Sequence, residues 1–172
     1  MGKIYLPMLM AILLAACSTA PPKPTTEITD TTDATDTTGT IDTTALDPLR
    51  SQVVFHALSM VGRPYRYGGT SPEEGFDCSG LVWFTHHHAG IPVPRTTATQ
   101  SRGARPVTQG ALTPGDLLFF RTTRPVPSHV SIYIGHGRFV HAPSSGRPVT
   151  TERLDHPYWG PRLLHAGHFY AP

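Results

Sequence analysis

Residues 18–46 cannot supply a packed core, and this confines folding to the rest of the chain. The stretch holds twelve Thr, three Pro, five acidic residues and one Lys, with almost no aromatic or large aliphatic side chains. So little apolar surface cannot offset the entropy of ordering the backbone. A disordered, acidic tether of net charge −4 is expected there. About 28 such residues reach roughly 90 Å when stretched and roughly 30 Å as a coil. Residues 47–172 remain, which is the length of one domain. They carry twelve Arg, no Lys, seven acids and all ten His, a charge of about +5. A basic domain on an acidic tether suits an anionic polymer target, although plain bias toward Arg gives the same count. The whole-chain charge of +2 gives no reason to expect nucleic acid as a partner.

The first 16 residues have a basic start and a short apolar run from Ile4 to Ala16. That is the pattern of a secretory signal, and it falls short of the roughly 20 residues that span a bilayer. Leu14-Ala15-Ala16-Cys17 resembles the bacterial lipobox, in which cleavage precedes the Cys and the thiol takes a diacylglycerol. Cys17 is therefore the expected lipidation site. Ser18 is not the Asp that holds such lipoproteins at the inner membrane. The expected place is the outer membrane, facing the periplasm. Met1-Gly2 does not predict myristoylation, because Leu6 stands where Ser or Thr is needed.

Two cysteines, 61 residues apart, exclude a disulfide-dense scaffold and a Cys-built zinc module. The domain begins with apolar residues at helical spacing from Pro48 to Val61, stopped by Gly62-Arg63-Pro64. Tyr65 to Gly69 reads as an extended piece and turn. Asp77-Cys78-Ser79-Gly80 opens a second helix, through about Ala89, closed by Gly90 and Pro92. Strands follow at Leu117–Phe120, His129–Ile134 and Arg138–Ala142, with weaker segments near Val149 and Leu154. The last strand is expected at Leu163–Phe169. Helices first and an antiparallel meander second make an α+β arrangement.

Cys78 stands at the expected N-terminus of the second helix, where free N–H groups and the dipole favour an anion. A lowered thiol pKa and a nucleophilic role are expected. If Gly135-His136-Gly137 is a three-residue loop, Ile134 pairs with Arg138 and Ser131 with His141. His129 and His141 then share a face as diagonal neighbours, with rings in reach. One could take the Cys78 proton and the other orient it. A small buried Cys and two satisfied polar His side chains remain the plain alternative.

Five runs of residues resemble the NlpC-type cysteine peptidases of bacterial cell walls. They are Tyr65-Arg66-Tyr67-Gly68-Gly69, Asp77-Cys78-Ser79-Gly80-Leu81-Val82, and Pro94-Arg95-Thr96 followed by Gln100. Pro114-Gly115-Asp116-Leu117-Leu118-Phe119-Phe120 follows, then His129 to Gly135 with Phe139-Val140-His141-Ala142. They keep the family's order across about residues 50–168. The layout of one domain behind a lipidated Cys is similar to that of the Spr-type murein endopeptidases. The resemblance implies a papain-like core, a nucleophile helix packed on a central antiparallel sheet, and no metal or other cofactor. It implies Cys78 as nucleophile, His129 as base and later acid, His141 as the group orienting it, and Tyr65 at the oxyanion. The implied substrates are murein stem peptides with D-residues and diaminopimelate. A lipoprotein adaptor is a candidate partner, and a monomer is the expected state.

Asp77 is expected to cap the helix, Ser79 to line the substrate cleft, and Arg95 to bind a stem-peptide carboxylate or anchor its loop. His86-His87-His88 is expected at a solvated helix end, because consecutive helical residues diverge by about 100° and cannot share one ion. Trp83, Trp159 and Tyr158 are expected in the core or cleft wall, and His136 at an exposed hairpin tip. Two other functions stay open: a non-catalytic cell-wall-binding lipoprotein, and an amidase or acyltransferase on the same fold.

Overall fold

The computed structural model describes Gly2 and residues 46–144 and 146–171. The expected signal (1–16), the lipidated Cys17 and nearly all of the tether lie outside the described residues.

Asp47 caps α1 (Pro48–Ser59), accepting the Leu49 N–H at 2.9 Å, and Pro48 supplies a preset first turn. Val53, Val54 and Ala57 are its buried side. The helix stops two residues earlier than its apolar spacing suggests. Met60 and Val61 donate to the carbonyls three residues back, tightening the chain into a turn before Gly62. Arg50 reaches from α1 to the buried Asp116 at 2.7 Å and lies over the Tyr170 ring, tying the helix to the sheet.

A small hairpin, β1 (Thr70–Ser71) and β2 (Gly75–Phe76), leads into α2 (Cys78–His88). Next comes α3 (Thr97–Gly103), which the sequence reading lacks. Its residues Thr-Ala-Thr-Gln-Ser-Arg-Gly have no apolar period, and Gln100 is its one buried residue. Gln100 is held by non-local bonds, donating to Ser79 O at 3.0 Å and Pro94 O at 2.8 Å.

Among the described residues, six strands form one antiparallel sheet in the order β3-β8-β4-β5-β6-β7. They are β3 (Arg105–Val107), β4 (Leu117–Phe120), β5 (His129–Gly135), β6 (Arg138–His141), β7 (Thr150–Arg153) and β8 (Leu163–His168). The expected meander holds from β4 to β7. It is incomplete, because β8 returns to the other side of β4 and β3 pairs outside it. Every side chain of β4 is buried, so its apolar run does not alternate. Leu117, Phe119, Val130, Ile132 and Val140 face α1 and α2 in the larger core. Leu118, Phe120, Phe139 and Ala166 face the other way and gather around Trp159.

The β5–β6 hairpin differs from expectation at its tip. Gly135 pairs with Arg138, so the loop is the two residues His136 and Gly137, with φ of 50° and 67°. Two central residues at positive φ match the hand of the strand twist. A register shift between Tyr133 and Gly135 absorbs the extra residue, so Ile132 still opposes Val140. His129 and His141 therefore keep the relation that the three-residue loop would have given.

Candidate active site

Asp77 has extended backbone angles, φ −89° and ψ 173°, and its carboxylate caps α2. It accepts the Gly80 N–H at 2.6 Å, the Gly68 N–H at 2.9 Å and the Ser79 hydroxyl at 3.1 Å. Arg95 forks onto both carboxylate oxygens, at 3.0 and 2.9 Å. Burial acts to raise the Asp77 pKa, but the Arg95, Gly80 and Gly68 hydrogen bonds together hold it below the usual carboxylate value. Arg95 also donates to Ser79 Oγ and Gly69 O. Its fork is occupied by the protein's own acceptors, which favours the loop-anchoring side of its expected role. Ser79 is buried under this network yet still reaches the cleft wall.

The same network needs a bare backbone at Gly80. A Cβ there would lie 2.0 Å from the Gly69 carbonyl oxygen, a backbone atom that cannot swing aside. Gly80→Ala is expected to cost about 3 kcal/mol or more. Chemical denaturation of the purified chain checks this, and a loss below about 1 kcal/mol would contradict the close approach.

Cys78 opens α2 and faces a cleft of about 720 Å³. The walls are the Tyr65–Gly68 turn, residues 95–98 and the β4–β5 loop at 123–128. Cys78 Sγ lies 3.6 Å from Thr97 Oγ1. The expected lowering of the thiol pKa is wrong. Burial pushes it up, and the nearby Asp77 carboxylate adds to that. Hydrogen bonds from Thr97 and from the Val130 and Ser79 backbone oppose the rise without reversing it. At neutral pH the resting group is a thiol, so it needs a base close at hand. Tyr65 is partly buried on the rim; its pKa is raised first by burial and then by the Cys78 and Asp77 charges.

The His129 and His141 side chains meet on the Trp159 face of the sheet. His129 Nε2 lies 2.9 Å from His141 Nδ1. The Trp159 ring lies 5.2 Å from the His129 ring and 4.8 Å from that of His141. Enclosure by these aromatics lowers the His129 pKa to about 4. It lowers that of His141 further, helped by the His129 and Arg147 charges. Both rings are neutral at pH 7. If His129 keeps a lone pair on Nδ1 to accept a proton, its Nε2–H must donate to His141 Nδ1. The His141 hydrogen then sits on Nε2, which is buried without a hydrogen-bond partner. The Trp159 ring stands nearly perpendicular to the His141 ring, at 85°.

The His86–His88 run ends α2 with His87 and His88 exposed, as expected, but His86 departs from that expectation. His86 is wholly buried, with Nδ1 3.0 Å from Val82 O. His87 stacks on the partly buried Trp83, and His88 lies against Phe84. Trp159 is buried, as its expected role in the core or wall requires, whereas Tyr158 is 41% exposed. His136 is exposed at the hairpin tip. The sequence reading passed over Thr97 and the 123–128 loop, although Pro94-Arg95-Thr96 marked the neighbourhood of Thr97.

His86 joins His129 in carrying a pKa near 4 through burial. The unfolded chain takes up those protons near pH 6.5, so between pH 6.5 and 4 it binds more protons than the fold. Stability therefore rises with pH across that window and is lost on acidification. Each group contributes up to about 3 kcal/mol. Unfolding midpoints are expected to fall steeply from pH 6.5 to 4, and a flat profile there would contradict the buried neutral rings.

Comparison with known proteins places this geometry in context. The NlpC/P60 family model matches residues 62–168. The murein DD-endopeptidase MepH of Escherichia coli is 38% identical over 119 residues, covering 67% of this chain and 44% of that protein. The bifunctional muramidase/DL-endopeptidase CwlT of Bacillus subtilis is 39% identical over 117 residues, 67% of this chain and 35% of the relative. The chain thus spans under half the length of these curated relatives. A lipoprotein-like NLP/P60 family structure from Staphylococcus aureus superposes with a TM-score of 0.67 at 33% identity. The match covers 73% of this chain and 43% of that one. The NlpC/p60 domain of the peptidoglycan hydrolase SagA gives 0.60 at 28% identity, covering 69% and 97%.

Proposed function

This chain belongs to the NlpC/P60 family, and from that membership we propose that it is a cysteine endopeptidase of bacterial murein. The observation that carries the reading is the 2.9 Å bond between the His129 and His141 rings, on a strand whose Val130 backbone touches the Cys78 thiol. The Val130 contact brings the start of β5 to the sulfur, and His129 is the neutral base beside it in sequence, although no hydrogen bond joins the His129 ring to Cys78 among the described residues.

In this mechanism the substrate enters the cleft and His129 takes the Cys78 proton. The thiolate attacks the peptide carbonyl. The helix N-terminus at Cys78 and the Tyr65 hydroxyl face the developing oxyanion. His129 then protonates the leaving amine, and a thioester remains on Cys78. Water, deprotonated by His129, releases the acid and restores the thiol. His141 positions His129 throughout by accepting its Nε2–H. Asp77, Ser79 and Arg95 form the rigid floor that fixes the start of α2.

The bonds proposed are stem-peptide or cross-link bonds that involve D-residues and diaminopimelate, since the relatives include a DD- and a DL-endopeptidase. Mass analysis of peptides released from purified sacculi tests this. Cleavage between amino acids is expected, whereas a cut at the sugar–peptide amide would show an amidase. No release under reducing conditions across the pH range would favour a wall-binding protein.

We also propose that residues 1–16 are a signal, that Cys17 is lipidated and that residues 17–46 tether the domain. The domain then works in the cell envelope, held at the outer membrane on the periplasmic side. The Leu14-Ala15-Ala16-Cys17 run supports this. Fractionation checks it: Cys17→Ser should move the protein from the membrane to the soluble fraction.

A further inference from the structure

Three arginines near the cleft pair with no carboxylate among the described residues. Arg121 and Arg124 lie on the β4–β5 loop, and Arg162 lies in the turn before β8. Together they line a cavity of about 410 Å³ with no acidic residue in its wall. The ion pairs among the described residues use Arg50, Arg95, Arg147 and Arg153 instead.

Two of the three are held in place by neutral groups. Arg121 donates to Pro161 O at 3.2 Å. Arg162 donates to Tyr158 O at 2.8 Å and lies over the Tyr158 ring. A carbonyl or an aromatic face orients a guanidinium while leaving its positive charge intact. Arg124 makes no hydrogen bond or ion pair among the described residues, and its fork is free. Arg124 and Thr123 also line the cleft that holds Cys78, so the two cavities share a wall.

We propose that Arg121, Arg124 and Arg162 form a carboxylate-binding subsite for the murein peptide being cut, with Arg124 as its link to the Cys78 cleft. The subsite rests on the peptidase reading. Oriented, uncompensated guanidinium groups suit the paired oxygens of a carboxylate. The shared wall lets one peptide place its scissile carbonyl at Cys78 and a free carboxylate at Arg124.

The test uses the full chain carrying Cys78→Ala, so that binding is measured without turnover. Two murein peptides, alike except that one has free carboxylates and the other carboxamides, are titrated by calorimetry. The free-carboxylate peptide should bind about tenfold more tightly or better. Adding Arg124→Ala should bring the ratio near one, and Arg124→Lys should retain part of it. No preference, or a preference that survives Arg124→Ala, would overturn the subsite. Tighter binding of a glycerol phosphate oligomer would overturn it in favour of a phosphate polymer. Turnover by the chain with Cys78 intact is scored separately. Failure to cut either peptide defeats the peptidase reading, while cleavage with no binding preference defeats only the subsite.

Discussion

Cys78→Ser and Cys78→Ala should each remove murein peptide release by about 10⁶-fold, down to background. A serine hydroxyl in this place is far less acidic than a thiol, and the site does little to acidify its nucleophile. Burial and the Asp77 carboxylate already hold the thiol neutral, so a hydroxyl would stay protonated throughout. The fold should persist. Cys78 is only partly buried, and the α2 cap comes from Asp77 rather than from sulfur. Unfolding free energy should therefore change by no more than about 1 kcal/mol. Activity that survives both substitutions would remove Cys78 as nucleophile. Loss of activity together with loss of folding would show the thiol to be structural.

The two histidines should not be equal. His129→Gln is expected to cost about 10³-fold or more, because the thiol then has no base at the moment of attack. His141→Gln should be about one to two powers of ten milder, since it removes orientation while the base remains. The pH dependence separates the roles further. His129 is the working base only when neutral, and burial has lowered its pKa to about 4. The acid limb of kcat/KM should therefore fall near pH 4 to 5, below the ordinary histidine range. His141→Gln should move that limb, because it changes what the His129 Nε2 atom faces. Equal small losses for both variants, or an acid limb near pH 6.5, would contradict these assignments.

The nucleophile helix was legible because its signals are local. Asp77 stands before an apolar run, and its carboxylate takes the Gly80 N–H as a cap should. The strand hairpin was legible for the same reason: alternation places the histidines on one face, and a slip of one residue between β5 and β6 would put them on opposite faces. What was missed depends on tertiary surroundings. The helix at Thr97–Gly103 is held through Gln100 by carbonyls of Ser79 and Pro94, and with it came Thr97, the hydroxyl beside the thiol. The thiol pKa was misjudged because a helix terminus was weighed without the burial around it. His86 was misread from its neighbours in sequence. It lies four residues after the buried Val82, on the same helical face, and that spacing was the available signal. The return of β8 beside β4 is a non-local pairing that no sequence period announces.

The most direct measurement is rapid quenching of the full chain with a murein peptide, followed by mass analysis of its proteolytic fragments. The predicted result is a thioester adduct on the fragment containing Cys78, with the mass of the acyl half of the substrate, and none with Cys78→Ala. Turnover with no adduct on that fragment, or an adduct on another residue, would contradict the account.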